Sequence, residues 1–157
     1  MPTVTRHRIT RERLAVWREF LETHALVVGA LEVELDAERD LPLAWYDVLV
    51  SLAEAPGRRL RMQDLASRVL FSRSGLTRLL DRMVTDGLVR RERCDDDRRG
   101  TFAVLTAAGA RRLKDASGVH LRGVREHFDR HLTDTDVRAL HHALRKVLDG
   151  ETGNEDD

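Results

Sequence analysis

The sequence carries one cysteine, Cys94, so an intrachain disulfide is excluded and a reducing compartment is expected. Aromatic residues make up only 4% of the chain, which leaves Leu, Val and Ala to fill the core. No run of about 18 apolar residues occurs, so no segment is expected to span a membrane. The stretch from Met1 to Thr10 is polar and lacks the apolar region of a signal peptide, and the expected location is the cytoplasm. The net charge is also missing, with 27 basic against 27 acidic residues. Taken alone, that balance speaks against a polyanionic partner.

The distribution of charge reverses this impression. Between Gly57 and Lys114 there are 15 Lys and Arg but 7 Asp and Glu, and the rest of the chain holds 12 and 20. A basic middle is thus flanked by acidic ends. Binding to a polyanion depends on the local field of a patch rather than on the total. The chain has 157 residues, 41% hydrophobic and 34% charged, which suits one folded domain with long flanking helices.

Hydrophobic periodicity sets out the elements. Leu14, Trp17, Leu21, Ala25, Val28, Leu31 and Leu35 form one stripe of a first helix over Arg11–Leu35, capped by Thr10. A second helix, Leu43–Glu54, follows Pro42 and closes at Ala55-Pro56-Gly57. Arg58–Arg61 is short and basic, Met62–Val69 is a third helix, and Leu70-Phe71-Ser72 is a turn. A fourth helix runs from Ser72 or Ser74 to about Asp86, with Leu76, Leu79, Leu80 and Met83 inward and Gly87 as its stop. The period then changes. Leu88–Cys94 and Thr101–Leu105 read as two strands joined by the charged turn Asp95–Gly100, a hairpin. Thr106 caps a fifth helix to about Leu132. Thr133 and Asp136 form a capping box for a sixth, Asp134 to about Leu148. Residues 150–157 are acidic and apolar-free, and are expected to be a disordered tail.

The order helix, turn, helix, two-stranded wing carries the functional reading. A major groove about 12 Å wide admits one helix, braced by the helix before it. The fourth helix is apolar on one side and offers Arg73, Ser74, Thr77, Arg78 and Arg82 on the other. Arg pairs in a bidentate way with guanine, while Ser and Thr reach bases or phosphates. At the hairpin tip, Arg98 and Arg99 suit a narrow, electronegative minor groove. Asp97 can accept a hydrogen bond from Arg99 and hold it in place. Asp95 and Asp96 are equally well explained by turn chemistry.

The motifs Leu65-Ala66, Ser72 to Arg82, Asp86 to Arg91, Asp97-Arg98-Arg99 and Leu105 to Gly109 together resemble the MarR family of transcriptional regulators, over nearly the whole chain. The resemblance implies a homodimer whose recognition helix enters the major groove of double-stranded DNA. It makes Asp97 and Arg99 the wing pair, with Ser74, Thr77 and Arg78 as groove residues. The expected fold is mainly α with a small β-wing: a winged helix-turn-helix domain over 41–106, and dimerisation helices over 8–36 and 107–149. The stripe of the first helix, with Leu113, Val119, Val124, Phe128 and Leu132 on the fifth and Val137, Leu140, Leu144 and Val147 on the sixth, exceeds what the winged unit needs. A twofold interface is its economical use.

The family's effectors, often small anionic aromatics, imply a site between the dimer helices and the DNA-binding lobe. Trp17, Phe20, His24, Trp45 and Tyr46 would line it, with Arg90 or Arg91 near an anionic ligand. Ordinary core packing of each aromatic is the competing reading. His127 and His131, at i and i+4, together with His120 and His24 leave a zinc-responsive regulator open as an alternative. Cys94 leaves a redox-responsive one, although a packed thiol explains it. No metal or other cofactor is expected. A nucleophile elbow, a phosphate-binding glycine loop and a His-Glu-x-x-His motif are all missing, so an enzyme is not expected. A winged helix serving protein contacts is the remaining competitor.

Overall fold

The computed structural model describes residues 9–69, 72–94 and 100–153. These residues form six helices and a small three-stranded sheet. In chain order they are α1 (Arg11–Arg39), α2 (Leu43–Glu54), a turn of 3-10 helix (Pro56–Arg58), β1 (Arg59–Arg61), α3 (Met62–Val69), α4 (Arg73–Thr85), β2 (Val89–Arg93), β3 (Thr101–Leu105), α5 (Ala107–His127), a second 3-10 turn (Asp129–His131) and α6 (Asp134–Thr152). The architecture is the expected one, mainly helical with a β-wing. No helix among the described residues is long and apolar enough to cross a membrane.

Caps explain most boundaries. The Thr10 hydroxyl accepts from Arg13 N, Ser72 from Gly75 N, and Thr106 from Gly109 N. Thr133 and Asp136 form the expected reciprocal capping box. Each cap satisfies one of the donors that a helix start leaves without an intrahelical partner. Gly87 follows α4 at φ +73°, a conformation that costs glycine nothing.

Four details differ from the sequence expectation. First, α1 continues four residues past Leu35, because the Arg39 side chain is held by the carbonyls of Asp115 and Glu38. Asp40, left-handed at φ 49°, then closes it. Second, Arg59–Arg61 is a third strand, giving the sheet order β1-β3-β2 with both pairings antiparallel. The left-handed turn at Gly57 and Arg58 aims the chain into it. Third, α5 breaks at Phe128 (φ −131°, ψ −67°), and a 3-10 turn takes the chain towards α6. Fourth, α6 passes Gly150 and reaches Thr152, with an Arg145–Asp149 pair one turn apart near its end.

One core joins these elements. Leu35, Val48, Leu49, Leu52, Leu65, Leu76, Leu80, Met83 and Ala103 are fully buried, and no polar or charged side chain among the described residues is buried with them. Leu60 pairs across from Ala103, and Val89 from Leu105, so one sheet face joins this core. The outer helices are covered unequally. Along α1 only Leu31 and Leu35 are buried, whereas Val16, Trp17, Phe20, Leu21 and Leu26 stand exposed. The covered half of α1 is fastened to α5 by His127–Glu34 (2.6 Å), by an Arg122–Glu38 pair and by Arg112 to the Asp40 carbonyl. No residue of α6 is buried.

Candidate nucleic-acid interface

The two faces of α4 separate cleanly. Leu76, Leu80 and Met83 are fully buried against α3 and the core, and Leu79 is half-buried. Ser74, Thr77, Arg78, Asp81 and Arg82 lie at helical spacing on the other side, and all are exposed. The helix is held from below by α3, whose Leu65 and Ala66 are buried, and from the side by the wing. Arg91 of β2 forms an ion pair with Asp81 at 2.8 Å and donates to the Thr77 carbonyl at 3.4 Å. Among the described residues, Arg78 and Arg82 have no acidic partner. Their charges therefore face outward from the middle and the last turn of a helix seated on α3 and the core. Its N-terminus adds backbone donors suited to a phosphate.

Of the sequence-predicted contacts, Ser74, Thr77, Arg78 and Arg82 share this face. The backbone of Arg73 opens α4, and its side chain lies outside the described residues. Asp97, Arg98 and Arg99 also lie outside them. The hairpin that carries them is closed by Cys94 N donating to the Gly100 carbonyl at 3.0 Å. Cys94 itself is buried, in keeping with a packed thiol.

The residues expected to line an effector site fall into separate groups. Trp17 is half exposed and stacks on Phe20 at 6.0 Å. His24 is exposed and Trp45 half-buried. Tyr46 is 5% exposed and stacks on the His120 ring at 4.3 Å, inside the packing between α2 and α5. The arginines offered to an anionic ligand have partners already, Arg90 with Glu92 and Arg91 with Asp81. A groove of about 540 Å³ lies elsewhere, between the end of α5 and α6, lined by Leu121, Val124, Phe128, Val137, Leu140 and Leu144 among others. His127 is committed to Glu34, and no group of three potential metal ligands occurs among the described residues.

Sequence reasoning missed the Tyr46–His120 stack, since periodicity alone cannot say which ring meets which. Burial pushes the His120 imidazole below its ordinary value of 6.5. Its Nδ1 has no hydrogen-bond partner. The folded state therefore favours neutral His120, and the unfolded chain takes up the proton first as pH falls through about 6.5. Stability from this group is present above that pH and declines below it. His120→Phe keeps the stack and removes the proton site. Its melting temperature should fall less than the parent's between about pH 7 and 5.5. Parallel curves would show that His120 contributes nothing to the acid response.

The profile of the MarR family matches residues 39–100. The chain is 34% identical over 109 residues to the multiple antibiotic resistance protein MarR of Escherichia coli K12, which spans 69% of this chain and 74% of that protein. The structure is similar to AbsC, a MarR family transcriptional regulator of Streptomyces coelicolor, with a TM-score of 0.83 and 37% identity, covering 93% of this chain and 98% of that one. A second MarR family regulator of the same organism, solved in complex with DNA, gives 0.83 and 36%, covering 91% and 90%.

Proposed function

Because the chain belongs to the MarR family of transcriptional regulators, and so to regulators rather than enzymes, we propose that it is a cytoplasmic, sequence-specific repressor that binds a pseudo-palindromic operator as a homodimer. One observation carries this reading. On α4, fully buried Leu76, Leu80 and Met83 back an exposed face on which Arg78 and Arg82 have no acidic partner among the described residues. That is what a helix needs to be held rigidly while it enters a groove. The relative from S. coelicolor solved on DNA, at 36% identity, supports the same use of the fold.

In this reading residues 41–106 form the DNA-binding lobe, and helices within 8–36 and 107–149 form the dimer layer. Ser74, Thr77 and Arg78 meet base edges, with Arg73 and Arg82 beside them. Arg98 and Arg99 enter the minor groove, and Asp97 orients Arg99. A dimer across a promoter occludes it, hence repression. A small anionic aromatic effector would release it by binding where the dimer helices meet the lobe, near Trp17, His24, Trp45 and Tyr46. A thermal-shift series of phenolic acids in which none stabilises the protein or loosens it from DNA would count against that effector.

Selection of bound duplexes from a random pool tests the main reading. It should return an inverted repeat with half-site centres about 10–10.5 base pairs apart. A single unrepeated half-site would overturn the dimeric mode. With the selected site, Arg78→Ala should weaken binding and also relax preference at particular base pairs, by roughly 1–3 kcal/mol of lost discrimination. Arg99→Ala should weaken binding about evenly across sequences. Identical profiles for the two variants across a site library would refute this division of labour.

A further inference from the structure

The sheet has a second face, turned away from the core, and its composition is unusual for a mere cover. Strand register places Arg59, Val104 and Arg90 in one row and Arg61, Phe102 and Glu92 in the next. Residues two apart on a strand share a face, so these six form one surface. The guanidinium carbons of Arg59 and Arg61 lie 4.6 and 5.7 Å from the centre of the Phe102 ring. Val104 is 5% exposed although it points outward, as expected where long arginine stems lie over it. The heads of Arg59 and Arg90 remain in water, their side chains 50% and 56% exposed, and Arg61 is half-buried. Among the described residues, Glu92 is the acidic residue of this surface, 3.6 Å from Arg59 and paired with Arg90.

The surface lies on the strands that lead into the turn between β2 and β3. Phe102 follows Arg99 by three residues, at most about 11 Å between Cα atoms. Arg61 sits across from Phe102 and directly precedes α3. A tip seated in a minor groove about 6 Å wide is flanked on both sides by phosphates. Arg61, in the row of Phe102, with Arg59 one row further back, is then within reach of the outer strand of that groove. Stacking on the ring limits the rotamer freedom each arginine would otherwise lose on contact.

From this placement, the geometry points to a phosphate-binding site on the outward face of the wing sheet, in which Arg59 and Arg61, held on Phe102, clamp the DNA backbone flanking the minor groove. It rests on the proposal that the chain binds duplex DNA, and it adds contacts that neither α4 nor the tip supplies. Glu92 tempers the site by repelling phosphate and competing for Arg59.

The test uses the full chain and a mixed-sequence duplex of about 30 base pairs, roughly three helical turns. Affinity is measured by fluorescence anisotropy across about 50–200 mM salt. Each phosphate contact contributes about 0.9 to the slope of log affinity against log salt. Arg59→Gln with Arg61→Gln should therefore lower the slope by about 1.8. At 0.1 M salt it should weaken binding about 60-fold, the effect of two such contacts against a 1 M reference. Glu92→Gln should bind about three- to tenfold tighter at low salt, by removing one repulsive charge. A purely structural role for the cluster gives no such gain. Melting curves accompany each variant. If the parent binds with a steep slope and the double variant matches it, the clamp is refuted and DNA binding stands. If Glu92→Gln binds more weakly than the parent, the clamp is likewise refuted. A parent that binds no duplex overturns both.

Discussion

Gly109→Ala should cost about 2–3 kcal/mol of folding stability, lowering the melting temperature by roughly 5–10 °C. Gly109 lies in the first turn of α5, where that helix crosses the start of the wing. A Cβ there would stand 2.1 Å from the Leu88 carbonyl oxygen and 2.8 Å from Leu105 Cδ1. The Leu105 methyl can move, but the Leu88 carbonyl cannot move cheaply. It already accepts from Thr106 N at 3.2 Å and from the Thr106 hydroxyl at 2.9 Å, the residue that also caps α5. Relief requires α5 to lift from the lobe, breaking those bonds and opening the core near Leu88 and Ala116. The same substitution at Gly118, nine residues on in α5, is the internal control. Nothing lies within 4 Å of its Cβ position, so Gly118→Ala should stabilise the helix by roughly 0.5–1 kcal/mol. Differential scanning calorimetry of both variants checks the pair. Equal and small shifts would mean that α5 is not seated on the Leu88 carbonyl.

The second large effect concerns assembly. If the chain is the proposed homodimer, Leu140→Glu with Leu144→Glu should turn it into a folded monomer and weaken operator binding about 10²- to 10⁴-fold. A dimer holds its second lobe at high effective concentration beside the second half-site, and a monomer forfeits that gain. The reasoning starts from what α6 leaves uncovered. Val137, Val147 and Leu148 are 43%, 62% and 53% exposed, and Leu140 and Leu144 line the apolar groove against Leu121 and Phe128. Contiguous exposed apolar surface of this kind marks an interaction site. Fully burying each leucine is worth about 1.5–3 kcal/mol, whereas burying an unpaired carboxylate in its place is strongly opposed. The lobe itself should stay folded, because no α6 residue belongs to the protomer core. Sedimentation velocity reads the mass, and circular dichroism the fold. A variant that remains dimeric would move the interface away from this groove.

Much of this fold is legible in the sequence, for reasons visible at particular residues. The helices carry apolar positions at spacings of three and four, and their starts at Thr10, Ser72, Thr106 and Thr133 have side chains that satisfy orphan donors. The wing announces itself by a change of period. What escaped is short or decided from a distance. β1 is three residues long, too short to show alternation, and exists because β3 offers it partners. The end of α1 is set by Arg39 bonding to Asp115, 76 positions away. The break at Phe128 interrupts an apolar pattern that itself continues unbroken into Leu132. On α4 the burial pattern follows the sequence stripe, so Ser74, Thr77, Arg78 and Arg82 lie together on the exposed face. The aromatics were harder. Trp17 and Tyr46 look equivalent in sequence, yet one ends at the surface and the other under His120. The proposed phosphate clamp depends on register, since only the pairing of β1 with β3 brings Arg59 and Arg61 onto the Phe102 ring.

The central claim is that the basic middle of the chain, α3 to the wing, grips duplex DNA. Affinity for the selected operator, followed across about 50–200 mM salt, tests it most directly. If 6–10 phosphates are neutralised, log affinity should fall linearly with log salt, with a total loss of about 10³- to 10⁵-fold. A flat response over that range would contradict the account.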